Sequence, residues 1–196
     1  MTAAGPFAHP TDVVRRQLFN LLNRKFEIFA PDGSMAFYTE MKAFKLKEDI
    51  RVYSDVNKTQ ELLVIKARKI LDLSSAYDVY DSTQGGVKIG ALKRQGITST
   101  MVMDKWEIWN AQDQRIGGIE EDSWILGLIR RYFIKLIPQS YKVEIGGQEI
   151  IKFSQNFNPF LLKLTLDFTG DPGQALDRRL GIAAAVLLCA IEGRQQ

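Results

Sequence analysis

The decisive stretch is "LGIAAAVLLCAI", Leu180 to Ile191, set between Arg178–Arg179 and Glu192. On a helix this run shows no charged side chain on any face, so the helix has to be enclosed on every side. At about 1.5 Å per residue a dozen residues reach roughly 18 Å, well short of the roughly 30 Å hydrocarbon core of a bilayer. Spanning a membrane unaided is therefore excluded. Gly181 and the Ala183–Ala185 run make the helix slim, which suits the lumen of a closed β-barrel gripping it from all sides.

The rest of the chain supplies the strands for such a barrel. Four stretches read as imperfect copies of one hairpin: "FEIFAPDGSMAFYTEMK" from Phe26, "YDVYDSTQGGVKIGALKR" from Tyr77, "WEIWNAQDQRIGGIEED" from Trp106 and "YKVEIGGQEIIKFSQ" from Tyr141. In each, an aromatic residue is followed by a charged one (Glu27, Asp78, Glu107, Lys142) and then by Ile or Val, the alternation of a half-buried strand. Turn residues come next, at Asp32–Gly33, Gly85–Gly86, Asp113–Gln114 and Gly146–Gly147. The last copy has Glu144 where the others carry an aromatic. The copies are unevenly spaced, so they form a meander and not a fixed-period solenoid. "IRVYS", "LLVIKARKILDL" and "FLLKLTLDF" add further β-rich runs. The reading is mainly β: a closed antiparallel barrel of about twelve strands around a buried C-terminal helix spanning Asp177 to Ile191.

Composition narrows the function. A chain of 196 residues, 45% of them hydrophobic, carries one substantial core. Its 26 Lys and Arg against 23 Asp and Glu leave a formal charge of +3, too little to imply nucleic acid. Cys189 is the single cysteine, so an internal disulfide is excluded, and no Cys/His spacing suits a metal. Residues 1–24 are expected to form a tail with a short docking helix over "DVVRRQLFNLLNRK", Thr11 being its N-cap and Val14, Leu18, Leu21 and Leu22 its apolar face. The barrel then takes residues 25–196.

No enzyme is expected. His9, the one histidine, lies in a Pro-flanked segment, and Cys189 sits inside the apolar helix, where a thiol is packing material. "GGVKIG", Gly85 to Gly90, lacks the spacing of a phosphate loop and reads as a hairpin turn. Asp167, Asp171 and Asp177 lack the alternating spacing of a calcium loop and read as turn and cap residues. No metal and no cofactor is expected.

One segment does not alternate. In "SWILGLIRRYFIKLIP", Ser123 to Pro138, a helical wheel gathers Arg130, Arg131 and Lys135 on one narrow side, with Trp124, Tyr132 and aliphatic residues around the rest. An aromatic, basic amphipathic helix suits a membrane interface, its cations toward anionic headgroups. Trp124, Arg130, Arg131, Tyr132 and Lys135 are therefore the candidate lipid-binding residues.

The four hairpins, followed by "QNFNPFLLKLTLDFTGDPGQALDRRLGIAAAVLLCAIE", resemble the phospholipid scramblase and tubby-like superfamily, which includes the LURP-one-related proteins. The resemblance runs from about Arg24 to Glu192 and implies a roughly twelve-stranded barrel wrapped on its C-terminal helix. The chain lacks the proline-rich region, the cysteine cluster and the calcium loop of the animal scramblases, so the resemblance does not extend to calcium-triggered scrambling. With no catalytic pair, a single cysteine that suits a reducing compartment and the basic aromatic segment Trp124 to Ile137, the expectation is a non-enzymatic, scramblase-related module in the cytoplasm, in peripheral contact with an anionic phospholipid surface. A soluble protein-interaction or ligand-sensing module of LURP-one-related type is the alternative.

Overall fold

The computed structural model describes residues 5–17, 23–42, 49–68, 76–95, 105–121, 139–156 and 161–192. Twelve strands follow the chain: β1 (Thr11–Gln17), β2 (Asn23–Phe29), β3 (Met35–Lys42), β4 (Ile50–Tyr53), β5 (Glu61–Ala67), β6 (Ala76–Asp81), β7 (Val87–Arg94), β8 (Lys105–Asn110), β9 (Arg115–Glu121), β10 (Ser140–Ile145), β11 (Gln148–Gln155) and β12 (Leu161–Asp167). Each pairs antiparallel with its chain neighbours, and β1 closes on β12 in register from Thr11↔Asp167 to Gln17↔Leu161, so the sheet is a closed barrel. The helix α1 (Arg178–Glu192) fills the lumen.

Alternation decides which side chains meet the helix. The apolar residues that open the four repeated hairpins, Phe26 and Ile28, Tyr77 and Val79, Trp106 and Ile108, Tyr141 and Val143, are all at most 4% exposed. Burying each such side chain contributes roughly 1.5–3 kcal/mol. The charged residues between them turn outward. On α1, Leu180 and every residue from Ile182 to Ala190 is at most 3% exposed, as a helix apolar on all sides requires.

The repeat goes further than the inward pair. The ladder register shifts at Ile28/Phe29, Val52/Tyr53, Val79/Tyr80, Ile108/Trp109 and Val143/Glu144. Each bulge falls between the third and fourth residues of its unit. "IRVY" of β4 is thus a fifth copy, with Ile50 and Val52 inward. A bulge sharpens the local twist and re-aims the next side chain. Repetition around the sheet helps it to curl shut.

Close approaches set the fit of helix to wall. A Cβ on Gly181 would lie 2.7 Å from the Phe168 ring, and one on Gly90 would lie 2.8 Å from the Leu180 side chain. Asp177 caps α1, its Oδ1 accepting from the Arg179 amide at 3.0 Å, while its carbonyl accepts from the Leu180 amide at 2.9 Å. Arg179 also pairs with Asp81 at the end of β6, which fixes the start of α1 to one end of the barrel. The β2–β3, β4–β5, β6–β7, β8–β9 and β10–β11 turns all lie at that end.

The docking helix expected within residues 1–24 is not what forms over Thr11–Gln17. That segment is strand β1, with Asp12 and Val14 inward and Val13 and Arg15 on the outer face. Two β-branched valines favour extended backbone. The decisive term is tertiary, because β1 satisfies edges of β2 and β12 that would otherwise be open. Residues 18–22 of the expected helix lie outside the described residues.

Candidate functional site

Strand register assembles a groove on the outer wall near the helix-start end. β4, β5 and β6 bring Arg51 opposite Val64 and Val64 opposite Tyr80. Val64 is buried and forms the floor. Glu61, at the start of β5, accepts from the Ser82 hydroxyl through Oε1 at 2.7 Å and from the Arg51 guanidinium through Oε2. Burial works against its charge, yet the Ser82 and Arg51 donors outweigh it and hold the Glu61 pKa below the ordinary 4.5. The Lys66 ammonium lies 5.2 Å from the centroid of the Tyr80 ring. The concavity holds about 370 Å³ and ends at Gly86. Gly85 and Gly86 take φ of 75° and 78° behind the short 3-10 turn Ser82–Gln84, so "GGVKIG" opens as a hairpin turn and runs on from Val87 into β7.

Val56 in the β4–β5 turn and Val87 at the start of β7 are 49% and 54% exposed. These two large apolar side chains are held out to solvent at the tips of adjacent hairpins. The Arg51–Lys66 groove runs across β4, β5 and β6 and reaches the same end of the barrel at Ser82 and Gly86.

The fourth residues of the repeat form a second feature. Arg15 lies over Phe29 at 4.3 Å, Lys58 over Tyr53 at 5.8 Å, Lys66 over Tyr80 at 5.2 Å and Lys93 over Trp109 at 5.5 Å. Each aromatic that a bulge turns outward thus carries a cation on its π-face. Glu144 breaks the series. Beside it is a hollow of about 280 Å³ floored by Gly117 and Gly118 and edged by Arg115, Glu120 and Glu144. Gly117 has a structural reason to be glycine, since a Cβ there would lie 2.0 Å from the Glu144 carbonyl oxygen.

Other charges on the wall are spent on one another. Arg68 and Lys88 both pair with Asp78 and Asp113, a two-by-two network binding β5, β6 and β7 to the β8–β9 turn. Hydrogen bonds from Lys88 and then Arg68 hold the Asp113 pKa below the ordinary carboxylate value. This network closes on itself and leaves little for a ligand.

Trp124, Arg130, Arg131, Tyr132 and Lys135 lie outside the described residues. Their flanks, Glu121 and Gln139, belong to the barrel end opposite the groove, where the Tyr141 hydroxyl donates to Gln139 Oε1 at 2.9 Å. His9 does not sit apart in a tail: its Nδ1 is 3.3 Å from Oδ1 of the buried Asp12. Burial pushes the Asp12 pKa up to about 6 against the opposing pull of His9 and Arg178. Cys189 is buried within α1. The three late aspartates serve their own backbone: Asp167 accepts from the Thr169 amide at 2.9 Å, Asp171 from the Ala175 amide at 2.7 Å, and Asp177 caps α1. Among the described residues no group of three or more His, Cys, Asp or Glu is arranged to hold a metal ion.

Sequence reasoning missed the groove because its members are dispersed. Arg51, Glu61, Lys66, Tyr80 and Ser82 belong to three strands and a turn, and only the register joins them. A signal was nonetheless present in the fourth position of the repeats other than the last, where Phe29, Tyr80 and Trp109 face outward instead of into the core.

Among the described residues no helix is long and apolar enough to cross a membrane. No curated protein and no solved structure matches the chain. The LURP-one-related family pattern matches residues 35–189, from β3 through Cys189 of the central helix. With the closed barrel, its enclosed helix and this match in hand, the chain belongs to the LURP-one-related family, within the tubby-like superfamily.

Proposed function

We propose that this barrel is a non-catalytic module that associates peripherally with anionic phospholipid membrane through the end that carries Val56 and Val87. One observation carries the reading: the end of the barrel with two exposed apolar side chains, Val56 and Val87, also carries a groove with Arg51 and Lys66, and Tyr53 and Tyr80 there have cations over their rings. Apolar tips enter the upper acyl region, aromatic residues suit the interfacial layer, and each Lys or Arg near an anionic surface adds about 1 kcal/mol. The lumen offers little competing space, because α1 occupies it with side chains buried throughout Ile182 to Ala190.

Co-sedimentation with phosphatidylcholine vesicles, with and without an anionic lipid, tests this. Wild-type protein is expected to pellet with anionic vesicles at low salt, and Val56→Asp/Val87→Asp to stay in the supernatant. The triple change Arg130→Glu/Arg131→Glu/Lys135→Glu serves as comparator. Loss of binding in the triple variant alone would move the contact to the Ser123–Pro138 segment. Wild-type protein that ignores both vesicle types would replace the membrane reading with that of a protein-interaction module.

A further inference from the structure

We propose that the groove across β4, β5 and β6 recognises a phosphoserine headgroup, with Arg51 and Lys66 holding its phosphate and carboxylate and Glu61 holding its ammonium. In its lipid form this rests on the membrane reading above, but the recognition chemistry stands on the groove alone.

The argument is one of charge pattern. Arg51, Lys66 and Glu61 present two cations and one anion in a single concavity. A phosphoserine head presents the complement, two anions and one cation. Glycerol or inositol heads carry the phosphate but no ammonium, so Glu61 would repel them without compensation. A carboxylate in an otherwise anion-attracting groove thus acts as a discriminator, favouring one ligand by penalising the others.

Geometry supports each role. Glu61 is fixed from two sides, by Ser82 at 2.7 Å and by Arg51, and each of its oxygens retains a lone pair for a further donor. Arg51 is 48% exposed on its side chain and uses one arm on Glu61, leaving other N–H donors of its fork outward. Lys66 is exposed, makes no ion pair among the described residues, and is positioned by the Tyr80 ring at 5.2 Å. About 370 Å³ falls in the roughly 300–1,000 Å³ range of small-ligand sites. The hollow beside Glu144 has the opposite balance, one cation among Arg115, Glu120 and Glu144, and makes an internal contrast.

The test compares vesicles carrying equal fractions of phosphatidylserine or phosphatidylglycerol, which bear the same net charge, with soluble O-phosphoserine as a membrane-free probe. Wild-type protein is expected to prefer phosphatidylserine by about tenfold, the scale of one charge-assisted hydrogen bond. Glu61→Gln keeps the Ser82 contact and is expected to bind both vesicles equally, its phosphatidylglycerol binding undiminished. Lys66→Gln, at an exposed position, is expected to weaken O-phosphoserine binding without lowering the melting temperature. Equal binding of the two vesicles by wild-type protein overturns the proposal and leaves the membrane reading intact. A preference that survives Glu61→Gln overturns it too. Binding of O-phosphoserine that Glu61→Gln and Lys66→Gln both weaken, with no vesicle binding, upholds the groove and overturns the membrane reading instead.

Discussion

The β6–β7 and β10–β11 hairpins share one plan up to their third residue. Tyr77 and Val79 in the first, like Tyr141 and Val143 in the second, point into the lumen and are buried. In both the register shifts just afterwards. The two then diverge: Tyr80 carries the Lys66 ammonium on its ring and borders a groove with two cations, while Glu144 overlooks a glycine floor. Val87 follows the turn of the first and Gln148 that of the second. Closure of the barrel and enclosure of α1 constrain the inward half of every copy. The outward half is free to differ, and in this molecule the differences fall at the tips and fourth positions.

The comparison breaks most severely from the inside. Ala184 is 3% exposed within α1. Ala184→Arg buries a charge without a partner and is expected to abolish cooperative folding, whereas Ala184→Leu should cost about 1–3 kcal/mol by overpacking. Thermal melts followed by circular dichroism check both. A cooperative, undiminished melt for Ala184→Arg would mean that the helix is not enclosed.

Glycines separate the two kinds of constraint. Gly117→Ala would place a Cβ 2.0 Å from the Glu144 carbonyl oxygen and force β9 from β10, at a cost of about 1–3 kcal/mol. Gly146, at φ 60° with open space around it, pays only the left-handed backbone penalty on conversion to Ala, about 1 kcal/mol. Urea midpoints should rank them in that order.

Replacing Asp12 should give a gain in stability. Its pKa is raised from 3.8 to about 6 by burial, so the folded chain holds the proton more tightly than the unfolded chain. This contribution is therefore fully present below pH 3.8, declines as pH rises from there to about 6, and is flat above. Asp12→Asn should stabilise the protein by roughly 1–3 kcal/mol at pH 7 and make little difference at pH 4. Melting temperature against pH for both proteins is the measurement. A difference that grows on acidification would contradict the burial account.

The smallest effect on stability is expected at the tips. Val56→Asp/Val87→Asp touches exposed side chains only, and its unfolding free energy should stay within about 0.5 kcal/mol of wild type. A large loss would place these valines in the fold and not in recognition.

How much of this was legible in the sequence follows the same inside–outside division. The inward pairs, the four hairpins and the enclosed helix are local patterns with strong periodicity, and they stand where the sequence put them. Thr11–Gln17 misled because the valines and leucines from Val14 to Leu22 also fit a helical face, and only the open edges of β2 and β12 make it a strand. "IRVY" escaped notice as a fifth copy because its first residue, Ile50, is not aromatic. Glu61 and Ser82 are 21 positions apart and meet only through the β5–β6 register. No periodicity could have brought them together.

The most direct test of the central claim, that one sector of the outer face at the helix-start end meets the membrane, uses the two hairpins as each other's control. Val87→Cys and Gln148→Cys, each labelled with an environment-sensitive fluorophore, report the two tips separately, while the native thiol of Cys189 is buried in the core. On addition of phosphatidylserine vesicles the label at position 87 should shift to shorter wavelength and become quenchable by brominated lipid, and the label at position 148 should stay in water. Equal shifts at both tips, or a shift at position 148 alone, would contradict the account.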